Sequence, residues 1–213
     1  MNRPSRLLPT ALLLGALAAA AVGGVAATGA SAPSPDGPAA TSAAPQLSAA
    51  DLDRILPPAD LLEHRWSTEL DTTDSRDLSQ LWEGMDQRRL HLTGARTRFY
   101  RDPAGRPVGG YVALSLFASV EDAERFLATN PSYDPDQEPG TDGFGEIYDV
   151  TAADEGSGWT FAEDADDAFG AAIVRIDRTV VEVALFGQPE AQYRSDVTAV
   201  VGAVRDGLVT AAR

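Results

Sequence analysis

Two histidines, no cysteine and 32 carboxylates bound the chemistry available to this chain. His64 and His91 stand apart, and neither sits at a metal-ligand spacing. A zinc site needs three or four converging donors, and the H-E-x-x-H pattern is absent. His64 follows Glu63 and fits a solvated or dipole-stabilised histidine near a helix end. Without cysteine there is no thiol nucleophile, no cysteine metal site and no disulfide framework. Serine catalysis needs a nucleophile on a sharp turn and a histidine oriented by an acid, and no G-x-S-x-G is present. Gly156-Ser157-Gly158 reads more simply as a flexible turn before Trp159. Gly109-Gly110 opens a strand without the G-x-G-x-x-G pattern or a following helix, so a phosphate cradle has no support.

The carboxylates offer more. Asp134, Asp136, Glu138 and Asp142 fall within nine residues, and alternating oxygen donors suit a hard cation such as calcium. An EF-hand started at Asp134 places Pro139 at the glycine position and Gly145 where the bidentate acid belongs. A solvated loop is the plainer reading, and these four residues are kept as a candidate cation loop. Asp164, Asp166 and Asp167 make a second acidic turn of the same kind. Two carboxylates at the right separation hydrolyse a glycoside, but in a chain this acidic the presence of pairs decides nothing. Glu182 is more informative, because it interrupts an apolar strand. An ion pair with Arg175, one diagonal step away across a predicted hairpin, or exposure on a sheet edge accounts for it. Trp66, Trp82 and Trp159 are flat surfaces on which a carbohydrate or other planar ligand stacks, although Trp82 lies on a core stripe. No residue is assigned a catalytic role, no cofactor is expected, and ligand-binding residues stay unassigned.

The elements that must carry these residues follow from periodicity. Ser48 with Asp51 makes a capping box before Leu52, Ile55 and Leu56, and Pro57-Pro58 stops that short helix. A strand is expected over Arg65 to Leu70. Asp74 then caps a helix with Leu78, Leu81, Trp82 and Met85 on one face. Residues 90 to 117 read as a hairpin turning at Asp102-Pro103-Ala104-Gly105, with Asp, Pro and Gly where a type I turn favours them. Its returning strand, Tyr111 to Phe117, is apolar on both faces except at Ser115 and belongs inside the sheet. Ser119 and Asp122 cap a helix that buries Ala123, Phe126 and Leu127 and ends at Asn130-Pro131. Strands are expected at Glu146 to Val150 and Gly158 to Phe161. A second hairpin, Ala171 to Ile176 and Thr179 to Phe186, closes at Asp177-Arg178. Pro189 opens a last helix with a stripe of Tyr193, Val197, Val200, Val201, Val204 and Leu208. The fold class is therefore α+β, a mainly antiparallel sheet of about five to seven strands covered by amphipathic helices. The order hairpin then helix occurs twice, at 96 to 129 and 171 to 211, a faint trace of duplication.

Composition places the domain. Arg3 and Arg6 precede an apolar run from Leu7 to Gly29, and Ala30-Ser31-Ala32 supplies small residues for a signal peptidase. As a helix the run reaches about 34 Å, against about 30 Å for a bilayer core, so an uncleaved anchor is the alternative to a cleaved signal peptide. Its Ala and Gly content weakens insertion and favours cleavage. Pro33 opposes cleavage after Ala32, while Val25-Ala26-Ala27 provides an earlier site. Residues 33 to 46 are a Pro/Ala/Ser-rich tether with little to bury, and 47 to 213 are one domain of ordinary size. All 17 basic residues are arginine; two lie in the leader, leaving 15 against 32 acids and a net charge of −17. That charge repels nucleic acid and anionic lipid. A membrane enters only through residues 7 to 29, if the signal is uncleaved.

The layout, with Leu56-Pro57-Pro58-Ala59-Asp60-Leu61-Leu62, then Ser119-Val120-Glu121-Asp122-Ala123, then Gly143-Phe144-Gly145-Glu146 and a hairpin leading to a C-terminal helix, resembles a known group. It is similar to the exported sensor-like α/β domains of actinobacteria, including extracellular domains of some receptor serine/threonine kinases, over most of residues 51 to 211. The resemblance implies ligand sensing or protein interaction without catalysis and transfers no site residue. The expectation is a secreted or otherwise extracytoplasmic, non-enzymatic binding or sensor-like module whose partner is a small molecule or an exported or cell-surface protein. The alternatives are a small extracellular hydrolase using carboxylates and a calcium-dependent or structural surface protein.

Overall fold

The computed structural model describes residues 47–63, 65–66, 69–76, 91–130, 144–161 and 168–213. The leader, the tether, His64, the expected stripe of Leu78, Leu81, Trp82 and Met85, and both acidic loops lie outside the described residues. In α1 (Ala49–Ile55), the Ser48 N–H donates to the Asp51 carboxylate at 2.9 Å, the reciprocal half of the expected capping box. Pro57 and Pro58 separate α1 from α2 (Ala59–Glu63). The carbonyls left open at the end of α1 are taken by Arg98, which donates to Leu56 O at 2.9 Å and Pro57 O at 3.1 Å.

The strands are β1 (Asp71–Arg76), β2 (Leu92–Arg101), β3 (Gly109–Phe117), β4 (Phe144–Asp149), β5 (Glu155–Phe161), β6 (Phe169–Ile176) and β7 (Thr179–Phe186). They form one antiparallel sheet in the order β1-β2-β3-β7-β6-β5-β4. Two meanders, β1 to β3 and β4 to β7, meet where β3 pairs with β7, from Gly109 opposite Phe186 to Leu116 opposite Thr179. The α+β class and its antiparallel sheet are as expected, at seven strands, and β3 is an interior strand, as its two apolar faces require. The β2–β3 connection turns at Asp102, with Gly105 N–H bonded to Asp102 O at 2.9 Å. The β6–β7 turn has two residues, Asp177 and Arg178, and Asp177 takes the left-handed φ of +52° that an aspartate tolerates.

Two helices complete the described fold, α3 (Val120–Thr129) and α4 (Glu190–Ala211). Every residue of the expected α4 stripe is buried. It packs with α1 and α2 on one sheet face over Val112, Leu114, Leu116, Val174, Val181, Val183 and Leu185. On the other face α3 buries Ala123, Phe126 and Leu127 against Phe117, Ile173 and Val180. The helices after the two hairpins thus lie on opposite faces, which does not support the duplication suggested by their shared order.

Three local expectations change. Among the described residues of that range, Arg65, Trp66, Glu69 and Leu70, none is in a strand; pairing begins at Asp71, opposite Arg101. Arg65 and Trp66 instead turn toward α4, where the buried Asp196 carboxylate accepts from Arg65 Nε at 2.7 Å and Trp66 Nε1 at 2.9 Å. Asp74 caps no helix, since it lies in β1 opposite Phe99. Gly156-Ser157-Gly158 is strand, not turn. A Cβ on Gly158 would stand 2.4 Å from the Tyr148 ring, and Gly156 has a φ of +109°, so both glycines serve the close packing of β5.

Candidate functional site

Alternation along the strands sorts the side chains of the α3 face into rows. The middle row reads Thr97, Ala113, Glu182, Ile173 and Ser157 across β2, β3, β7, β6 and β5. Toward the β2–β3 turn the next row is Phe99, Tyr111, Ala184, Ala171 and Trp159. The row beyond it brings Phe186, Phe169 and Phe161 into direct register. In the opposite direction the row is Ala95, Ser115, Val180, Arg175 and Glu155, and there α3 packs down. Among the described helices only α3 covers this face.

Glu182 sits at the boundary between the covered and the aromatic parts. Its direct cross-strand neighbours, Ala113 and Ile173, have no side-chain donor. Among the described residues it has neither a hydrogen-bond nor an ion-pair partner, although it keeps some contact with solvent. Burial alone pushes its carboxyl up to about 7. The Tyr111 hydroxyl is also raised, first by burial and then by the neighbouring Glu182 charge.

The expected Arg175–Glu182 pair is not formed. Arg175 does lie opposite Val180, as the two-residue turn requires. Its guanidinium turns the other way, to Glu155 at 3.1 Å, Glu124 of α3 at 3.4 Å and Asp154 at 3.9 Å. Three carboxylates supplied by β5, α3 and the β4–β5 connection hold it, and Glu182 is left with its charge uncompensated.

The aromatic rows form a platform. Phe161 and Phe169 stack with centroids 5.0 Å apart, and Phe99 and Tyr111 tilt together at 6.2 Å. Phe99 and Phe186 remain 36% and 41% exposed, unusual for phenylalanine on a sheet face. The Arg76 guanidinium lies 5.6 Å from the Phe99 ring centroid at the β1 edge. The side chains between these rings and Glu182 are small, Ala113, Ala171 and Ala184, and the last two are buried.

Other sequence candidates disperse. His91 Nδ1 lies 3.2 Å from the Asp122 carboxylate, which also accepts from Ser119 Oγ at 2.7 Å. This arrangement caps α3; the hydroxyl points at the acid rather than at the imidazole, so it is not a nucleophile–base pair. Of the tryptophans, Trp66 is core, Trp159 is half-buried in the Tyr111 row and packs against the α3 cluster, and Trp82 lies outside the described residues. Among the described residues no three histidine, aspartate or glutamate side chains are placed to hold a metal ion. No described helix is long and apolar enough to cross a membrane. The phenylalanine row and Tyr111 escaped sequence reading, although aromatic residues at strand ends facing one way are a visible signal once register is known.

No family model matches the chain, and no curated protein matches it significantly. Among solved structures, the extracellular domain of PknH from Mycobacterium tuberculosis matches with a TM-score of 0.51 at 11% identity. The match covers 76% of this chain and 98% of that domain. At that identity the likeness is one of fold, and at that level it agrees with the resemblance to receptor-kinase extracellular domains.

Proposed function

We propose that this chain is an extracytoplasmic, non-enzymatic binding module, sensor-like in use, that takes a small ligand on the α3 face of its sheet. The observation that carries the reading is Glu182, an uncompensated carboxylate on an interior strand beside an aromatic platform. Burying a charge without a partner disfavours the fold, and a group kept at that disadvantage is explained by something it binds. The export signal and the fold shared with an extracellular domain support the location.

Native mass spectrometry of the protein taken from its own culture medium or membrane fraction tests this. The expected result is an added mass that leaves on denaturation and is lost in Trp159→Ala, a substitution at a half-buried ring. A bare chain mass under conditions that keep non-covalent complexes intact overturns the reading.

A further inference from the structure

Resting on that reading, we propose that the ligand is an organic ammonium cation with an apolar body, its head at Glu182 and its body over the aromatic platform. Charge complementarity carries the argument. The cation nearest to hand, Arg175, is held by Glu124, Asp154 and Glu155 and does not answer Glu182. Ala113 and Ile173 on either side have nothing to donate. A positive group must therefore come from outside the described residues, and a bound ligand fits.

The surroundings select the kind of cation. A metal ion needs several oxygen donors, and Glu182 supplies one carboxylate among hydrocarbon and rings. An ammonium carrying carbon substituents is weakly hydrated and is drawn to ring faces, and Tyr111 and Trp159 stand one row from Glu182. Beyond them the row of Phe161, Phe169 and the exposed Phe186 is apolar and suits a hydrocarbon body attached to the head. The chain's net charge of −15 raises the local concentration of cations without choosing among them. Burial has raised the Glu182 carboxyl to about 7, and a bound ammonium would pull it back down.

Calorimetric titration of the whole chain with benzyltrimethylammonium, and in parallel with neutral benzyl alcohol, decides this at about 0.15 M salt, where diffuse attraction is screened. The expected result is saturable binding of the cation, about tenfold or more weaker for Glu182→Gln, and at least about tenfold weaker for the alcohol on the unaltered chain. If cation and alcohol bind alike, and Glu182→Gln changes neither, the ammonium assignment falls while a binding face remains. If neither probe binds to a chain that retains a native ligand mass, this inference alone is overturned. If no native mass is retained either, the binding reading falls with it.

Discussion

Replacing Glu182 by Gln should stabilise the protein, and only above a definite pH. Glutamine keeps the shape of the side chain and stays neutral, so it imitates the protonated form. In the folded chain the carboxyl titrates near 7, against an ordinary 4.5. Below 4.5 both folded and unfolded chains hold the proton, and the substitution changes little. As pH rises from 4.5 to 7 the unfolded chain releases its proton first, so stability is lost progressively, and above 7 the loss is complete. At about 1.4 kcal/mol per pH unit, the ionised group weighs against folding by up to about 3 kcal/mol. Glu182→Gln should recover most of that at about pH 8 and almost none at about pH 4.5. In urea, with a slope of about 1–3 kcal/mol per molar, the midpoint should rise by roughly 1–3 M at the higher pH. Urea denaturation of both proteins at the two pH values measures it. An equal midpoint difference at both, or a loss at the higher, would refute the picture of a desolvated and unpartnered carboxylate.

Val201→Asp places an unpaired charge on the fully buried stripe of α4 and should destabilise by about 3 kcal/mol or more; an unchanged denaturation midpoint would show that α4 does not pack there. Asp196→Ala leaves the Trp66 indole N–H buried without its acceptor and frees Arg65, so a loss of about 3 kcal/mol is expected. A thermal melt that matches the parent chain would mean that this junction of α2 and α4 is not needed.

How much was legible follows from how far each determinant reaches. The capping box at Ser48, the hairpin turning at Asp102, the Ser119 cap and the α4 stripe depend on residues within a turn or two, and each is where periodicity put it. Trp66 was misplaced in a strand because its partner, Asp196, lies 130 residues away. The glycines of β5 looked like a turn because the Tyr148 ring that demands them comes from another strand. Glu182 stood out in the sequence as an acid in an apolar strand, but its partner was chosen wrongly. The choice turned on Glu155 and Glu124, whose approach to Arg175 depends on β5 register and on the docking of α3. Likewise, Tyr111 and Trp159 share the row next to that of Glu182 only because β3 and β6 both pair with β7 and β5 pairs with β6.

The seam between β3 and β7 also governs the order in which the domain can assemble. Its first meander is complete by Phe117, yet the free edge of β3 has no neighbour until the last strand has been made. The second meander begins at the far edge and works back, so β7 arrives between two waiting edges, β3 and β6. Contacts so distant in sequence make folding slow, because the loop between them must close before any pairing rewards it. A chain cut short before Thr179 would present both edges as templates for other chains. The domain is therefore all or nothing: a partial chain is a hazard rather than a smaller version of the whole, and the Glu182 face comes into being only with the closing strand that bears it.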